Sequence, residues 1–131
     1  MSALFKVCGN LERIGDHAVN ICEYTKMIEE KNITFSKEVI GEIAQMREIC
    51  VKALSKVESI DNGINVAEIA SIEEKIDEMT EQFRKNQIDR MQVGKCSDEG
   101  CVLYSEMLTD FERIGDHILN VGQEMAGAVN E

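Results

Sequence analysis

Glu12 and Asp16 stand four residues apart in NLERIGDHAVNI (10–21), and Glu112 and Asp116 do the same in DFERIGDHILNV (110–121). The hexamer ERIGDH is identical in both copies. A third pair with this spacing, Glu73 and Asp77, lies in SIEEKID. Acids four apart share one face of a helix. Carboxylates are hard oxygen donors that suit Mg, Mn, Fe or Ca and also accept zinc. Several gathered in one place repel unless cations sit among them. A single such pair on a Glu-rich helix is most simply surface charge, and Glu74, Glu78 and Glu81 read that way. The repeated pair is different, because its neighbours repeat too.

Angular position sharpens this. With Leu11 at zero and ~100° per residue, Glu12 falls near 100° and Asp16 near 140°, on the shoulder of the apolar stripe. Glu112 and Asp116 stand identically relative to Phe111, and Glu73 and Asp77 relative to Ile72 and Ile76. Distances from the connecting turns place all three pairs at similar height, so they are expected to form one acidic layer. Gly15 and Gly115 sit mid-helix on the apolar side, where glycine costs ~1 kcal/mol relative to alanine and marks close helix packing. Arg13 and Arg113 lie beyond the acids, exposed or paired with a neighbouring carboxylate. His17 and His117 point away from Glu12 and Glu112, which suits a surface or partner contact better than metal ligation. Asn20 and Asn120 continue the register one turn further and could hydrogen-bond to the site.

Four helices must carry these residues. The first spans about Ser2 to Lys31. Thr34 or Ser36 caps the second, which runs to about Ile60 and stops at DNG. Asn65, with Glu68 three residues on, resembles a capping box for the third, which ends near Gly94. Ser97 and Asp98 open the fourth. Apolar periodicity supports each, including Leu4, Val7, Leu11 and Ile14 in the first. Linkers of a few residues predict an all-α, antiparallel four-helix bundle. The 131 residues contain no proline and carry a net charge of −11, which argues against nucleic acid or anionic lipid as a partner. The five cysteines form no CxxC pair. Their odd number and apolar surroundings argue against a disulfide framework and for the reducing cytosol. Cys96 and Cys101 flank a turn and can meet, but a zinc site there would need further ligands. No stretch is apolar enough to span a membrane.

NLERIGDHAVNICEY and DFERIGDHILNVGQE closely resemble the repeated acidic helices of the PhoU family. ERIGDH followed three residues later by Asn looks most like the PhoU-like domain behind the membrane region of bacterial sodium-dependent phosphate (Na/Pi) cotransporters. The intervening SIEEKIDEMTEQFRKNQIDRMQVGKCSDEGCVLYSEML is similar as well, so the resemblance covers nearly the whole chain. It implies two similar three-helix repeats, of which residues 1–31 would be the last helix of the first and 35–131 the complete second. It implies metal ions, in some members a multinuclear iron cluster, held by Glu12, Asp16, Glu112 and Asp116, with Glu73 and Asp77 next. It further implies a cytoplasmic regulatory domain without enzymatic turnover, partnered with a phosphate transporter as its tail or as a stand-alone uptake regulator. The side of the first helix that missing helices would cover makes a homodimer a natural expectation. The rival reading is a carboxylate-bridged di-iron redox enzyme. Such sites usually supply ExxH pairs with inward histidines, which neither ERIGDH nor IEEKID contains.

Overall fold

The computed structural model describes residues 2–58 and 65–130. It is built of four helices: α1 (Ala3–Glu30), α2 (Lys37–Glu58), α3 (Val66–Gln92) and α4 (Asp98–Asn130). The expected end of the second helix at Ile60 and its stop at DNG lie outside the described residues.

The helices begin where side chains satisfy otherwise orphaned backbone N–H groups. Ser2 Oγ accepts from the Phe5 N–H, Ser36 Oγ from Val39 and Asn65 Oδ1 from Glu68. At the start of α4, Ser97 Oγ accepts from Gly100. Two helices end alike. Asn32 (φ 54°) and Gly94 (φ 71°) adopt the left-handed conformation, which lets the next N–H reach back five residues, Ile33 to Ile28 and Lys95 to Arg90. This is the Schellman geometry.

α2, α3 and α4 enclose one core, formed by residues such as Met46, Ile69, Ile76, Tyr104, Leu108 and Ile118. α3 runs antiparallel to both of its neighbours, and α2 and α4 run parallel. α1 joins through α4, its antiparallel neighbour, and buries none of its residues completely. The antiparallel all-α arrangement is the expected one, but α1's stripe is only half covered. Val7 and Ile14 pack on the core, while Leu4 and Leu11, expected in the same stripe, are 71 % and 46 % exposed. The physical reason is that α4 covers one side of α1 and no helix pair covers the other among the described residues. An apolar groove of about 420 Å³ separates α1 from α2, lined by Ile21, Leu54 and Phe111 among others.

One polar cluster is buried within this core. Glu42 accepts from Arg90 Nη2 (2.7 Å) and Nη1 (3.1 Å), from the Tyr104 hydroxyl (2.6 Å) and from Asn86 (2.9 Å). Burial alone would raise the Glu42 pKa. The hydrogen bonds from Arg90, Tyr104 and Asn86 outweigh that and hold it below the ordinary carboxylate range. Burial beside Glu42 pushes the Tyr104 phenol up, so it stays a donor. The four residues come from three helices, Glu42 from α2, Asn86 and Arg90 from α3 and Tyr104 from α4, so the cluster fixes the mutual register of those helices.

Candidate cation site

The sequence places an acidic pair on the shoulder of each of three helices, and the packing decides which of them meet. On α3 and α4 they do. Oxygen atoms of Glu73, Asp77 and Asp116 lie within 4.8 Å of one another. The close approach is permitted by Gly115, where a Cβ would stand 2.9 Å from Ile76 Cδ1 and 3.3 Å from its Cγ2. Ile76, wholly buried between Glu73 and Asp77 in sequence, therefore seats the α3 acids directly beside Asp116.

The electrostatics follow from that proximity. Partial burial, with hydrogen bonds and repulsion from Asp77 and Asp116, pushes the Glu73 carboxyl up to about 8. Glu112 is half-buried one turn away. Its pKa is raised by burial and by the charges of Asp77 and Asp116, and lowered less by Arg84 and Arg113. Arg84 is held beside α4 by hydrogen bonds to Ser105 (3.0 Å) and Thr109 (2.7 Å). Glu73 thus retains a proton that an ordinary glutamate would lose, and a cation could replace that proton.

Glu12 and Asp16 do not join this group; both lie on the exposed side of α1. The expected single layer of three pairs is therefore divided, two pairs facing each other and one facing outward. The cause lies on the other shoulder of the repeated motif. His17 Nδ1 donates to Asp110 (2.7 Å), and Asn20 also reaches Asp110 (3.4 Å). Reciprocally, His117 Nδ1 donates to Asn10 (2.9 Å), and Asn120 reaches Asn10 (3.4 Å). The two imidazoles stack between them, centroids 5.6 Å apart and planes 18° from parallel. Two antiparallel copies of one motif thus present their His/Asn side to each other. Their acid sides must then point in opposite directions, toward α3 from α4 and away from the bundle from α1.

The histidines accordingly make a helix–helix contact, and Asn20 and Asn120 bond to that contact rather than to the acids. Asn10 and Asp110, missed as partners in the sequence reading, occupy equivalent places two residues before Glu12 and Glu112. That equivalence was a readable signal. Glu42 was also readable, since it falls between Val39 and Met46 on the apolar stripe of α2. Arg90 and Tyr104 carried no comparable sign.

Comparison with known proteins agrees with this architecture. The family described as "PhoU domain" matches residues 1–25 and 43–125. A curated relative from Thermotoga maritima, the phosphate-specific transport system accessory protein PhoU homolog 1, is 29 % identical over 127 residues. That alignment covers 93 % of this chain and 53 % of the relative, so the chain spans about half of that protein's length. No solved structure gives a significant match. With both copies of the acidic motif inside the matched segments, the chain belongs to the PhoU domain family.

Proposed function

We propose that this chain is a PhoU-type regulatory domain of phosphate uptake, acting without turnover of its own. The observation that carries the reading is the family match across both copies of the motif; the named relative is an accessory protein of a phosphate transport system. A cytoplasmic location beside that machinery is part of the proposal.

In this reading the acid group of α3 and α4 holds a cation. Glu73, Asp77 and Asp116 supply the donors, with Glu112 beside them. An all-carboxylate set fits a hard cation such as Mg, Mn, Ca or iron better than a soft one. When bound, the ion would supply the positive charge that the cluster lacks. Glu12 and Asp16 are the matching pair on α1 and would need acids from another helix to complete a second site. A second copy of the chain could cover the open side of α1, giving the homodimer.

The test is phosphate uptake in a bacterium deleted for its own PhoU-type protein. Expression of the chain is expected to shift uptake toward the parental level, and D77N/D116N is expected to fail. Elemental analysis of both proteins accompanies it, with stoichiometric metal expected only in the parent. No effect of the parent chain on uptake would refute the regulatory reading. Equal metal in both proteins would refute the site alone. A second reading, the tail of a Na/Pi cotransporter, is favoured by the form ERIGDH with Asn20 and Asn120 three residues on. A reading frame that continues upstream into membrane spans would decide for it.

A further inference from the structure

Cys96 and Cys101 are joined by a disulfide across the turn between α3 and α4, with Cα atoms 6.4 Å apart. Cys8, Cys22 and Cys50 are free. Two features of the surroundings separate the two sulfurs. Cys96 is half-exposed and borders an open pocket with Lys95, Ser97, Glu99 and Thr34. Cys101 is buried in the first turns of α4. Its Sγ accepts a hydrogen bond from Gln87 Nε2 at 3.4 Å, and its N–H is tied to the Ser97 carbonyl at 2.9 Å.

We infer that Cys96 and Cys101 form a reversible thiol–disulfide site, open to low-molecular-weight thiols at Cys96 and resolved by Cys101. A thiolate attacks Cys96 Sγ along the open side. The new bond joins it to Cys96, the Cys96–Cys101 bond breaks, and its electron pair leaves on Cys101 Sγ as thiolate. The Gln87 N–H and the N-terminal end of α4 receive that charge, while Asp98 and Glu99 oppose it. A second thiolate attacks the incoming sulfur of the mixed disulfide, releases the small-molecule disulfide and frees Cys96. The protein gains two electrons and takes up protons at the two sulfurs, and two small thiols are oxidised. Bonds in exposed positions with a stabilised leaving thiolate are the labile ones, and transient disulfides are the kind that cytosolic proteins retain.

The turn also touches the connection between α1 and α2. A Cβ on buried Gly100 would stand 3.3 Å from Ile33 Cγ2 and 3.4 Å from Phe35, and Lys31 pairs with Glu99. Opening the disulfide therefore loosens the end of the molecule where both connections meet.

The experiment equilibrates the purified chain with glutathione buffers from thiol-rich to disulfide-rich and blocks free thiols. Trypsin then releases residues 96–113, which contain both cysteines and none of the other three. The peptide is expected to pass reversibly from a doubly blocked form, the former dithiol, to an unblocked form that holds the Cys96–Cys101 disulfide. In a disulfide-rich buffer, C101S is expected to accumulate glutathione on Cys96 at least tenfold faster than C96S does on Cys101, with circular dichroism confirming both folds. Should either variant not fold, hydrogen exchange of the parent replaces that arm, with faster exchange expected over 31–36 and 94–101 on reduction. A pair that never forms, one that excess glutathione cannot reduce, equal glutathione uptake by the two variants or unchanged exchange would each overturn the proposal.

Discussion

Replacing Glu73 by glutamine should stabilise the metal-free protein, although it removes the best-placed donor of the cluster. The Glu73 carboxyl titrates near 8, above the ordinary 4.5, because of burial and the neighbouring Asp77 and Asp116. A raised carboxyl pKa means that the folded state holds the proton more tightly than the unfolded chain. The group is therefore harmless below pH 4.5, and stability drains away as pH rises from there to about 8. Taken whole, the shift would correspond to about 5 kcal/mol; solvent screening at this half-exposed position reduces that to about 1–2 kcal/mol. At ~2.1 cal/mol/K per residue, a chain of this size changes Tm by ~4–7 °C for that difference. Calorimetry in chelator should show the parent losing about that much between pH 5 and pH 8.5, with E73Q losing much less. A cation at a hundred times its Kd adds about 2.7 kcal/mol, or ~10 °C, and should do so for the parent far more than for E73Q. Parallel pH curves for parent and variant, or equal shifts on adding Mg or Mn, would refute the idea that these carboxylates repel one another.

The two glycines of the repeat should answer the same substitution differently. G15A meets no atom within 4 Å and should stabilise by ~0.5–1 kcal/mol through helix propensity; G115A drives into buried Ile76 and should destabilise by ~1–3 kcal/mol. Chemical denaturation of the two variants side by side measures the difference. R90M strands buried Glu42 and should cost about 3–5 kcal/mol, whereas E42M/R90M together should cost clearly less; a double variant as unstable as R90M would contradict this. D110A removes the acceptor of His17 and Asn20, so hydrogen exchange should quicken along α1 while α2 and α3 stay protected.

The reach of the sequence follows from what each signal encodes. Helix starts were legible because a cap is local: Ser36, Asn65 and Ser97 bond within three residues of themselves. The facing of Glu73 and Asp77 against Asp116 was legible through angle and height, since α3 and α4 are joined by a short turn that fixes both. The placement of Glu12 and Asp16 was not. A helical wheel gives the direction of a side chain about its own axis and says nothing of which helix stands there. Leu4 and Leu11 misled for the same reason, their periodicity marking a face able to be buried, not one that is. The Glu42–Arg90–Tyr104 cluster depends on three helices at once, so only the misplaced acid on the α2 stripe could announce it.

The identical hexamers form a controlled comparison within one molecule, because local sequence is held constant while surroundings change. On the His/Asn side the two copies behave alike: each histidine donates to the residue two places before the partner copy's hexamer. On the acid side they diverge: Gly115 accepts Ile76 at close range, while Gly15 faces open space. The first interaction is thus supplied by the motif to itself, copy against copy, and needs no third helix. The second requires a helix carrying its own acids four apart with a bulky apolar residue between them, as Glu73, Ile76 and Asp77 provide. The raised pKa of Glu112 therefore depends on its burial and on Asp77 of α3 as well as on the hexamer's own Asp116. The residue that separates the copy whose acids meet others from the copy whose acids face outward is Ile76, outside the motif altogether. Trimming it to alanine should leave the His17–His117 contact in place. It should also let α3 settle closer to Gly115 and disturb the spacing of Glu73, Asp77 and Asp116. Loss of cation-dependent stabilisation in I76A, with imidazole resonances unchanged by NMR, is the expected result. Coupled loss of both would show that the two sides of the motif do not act separately.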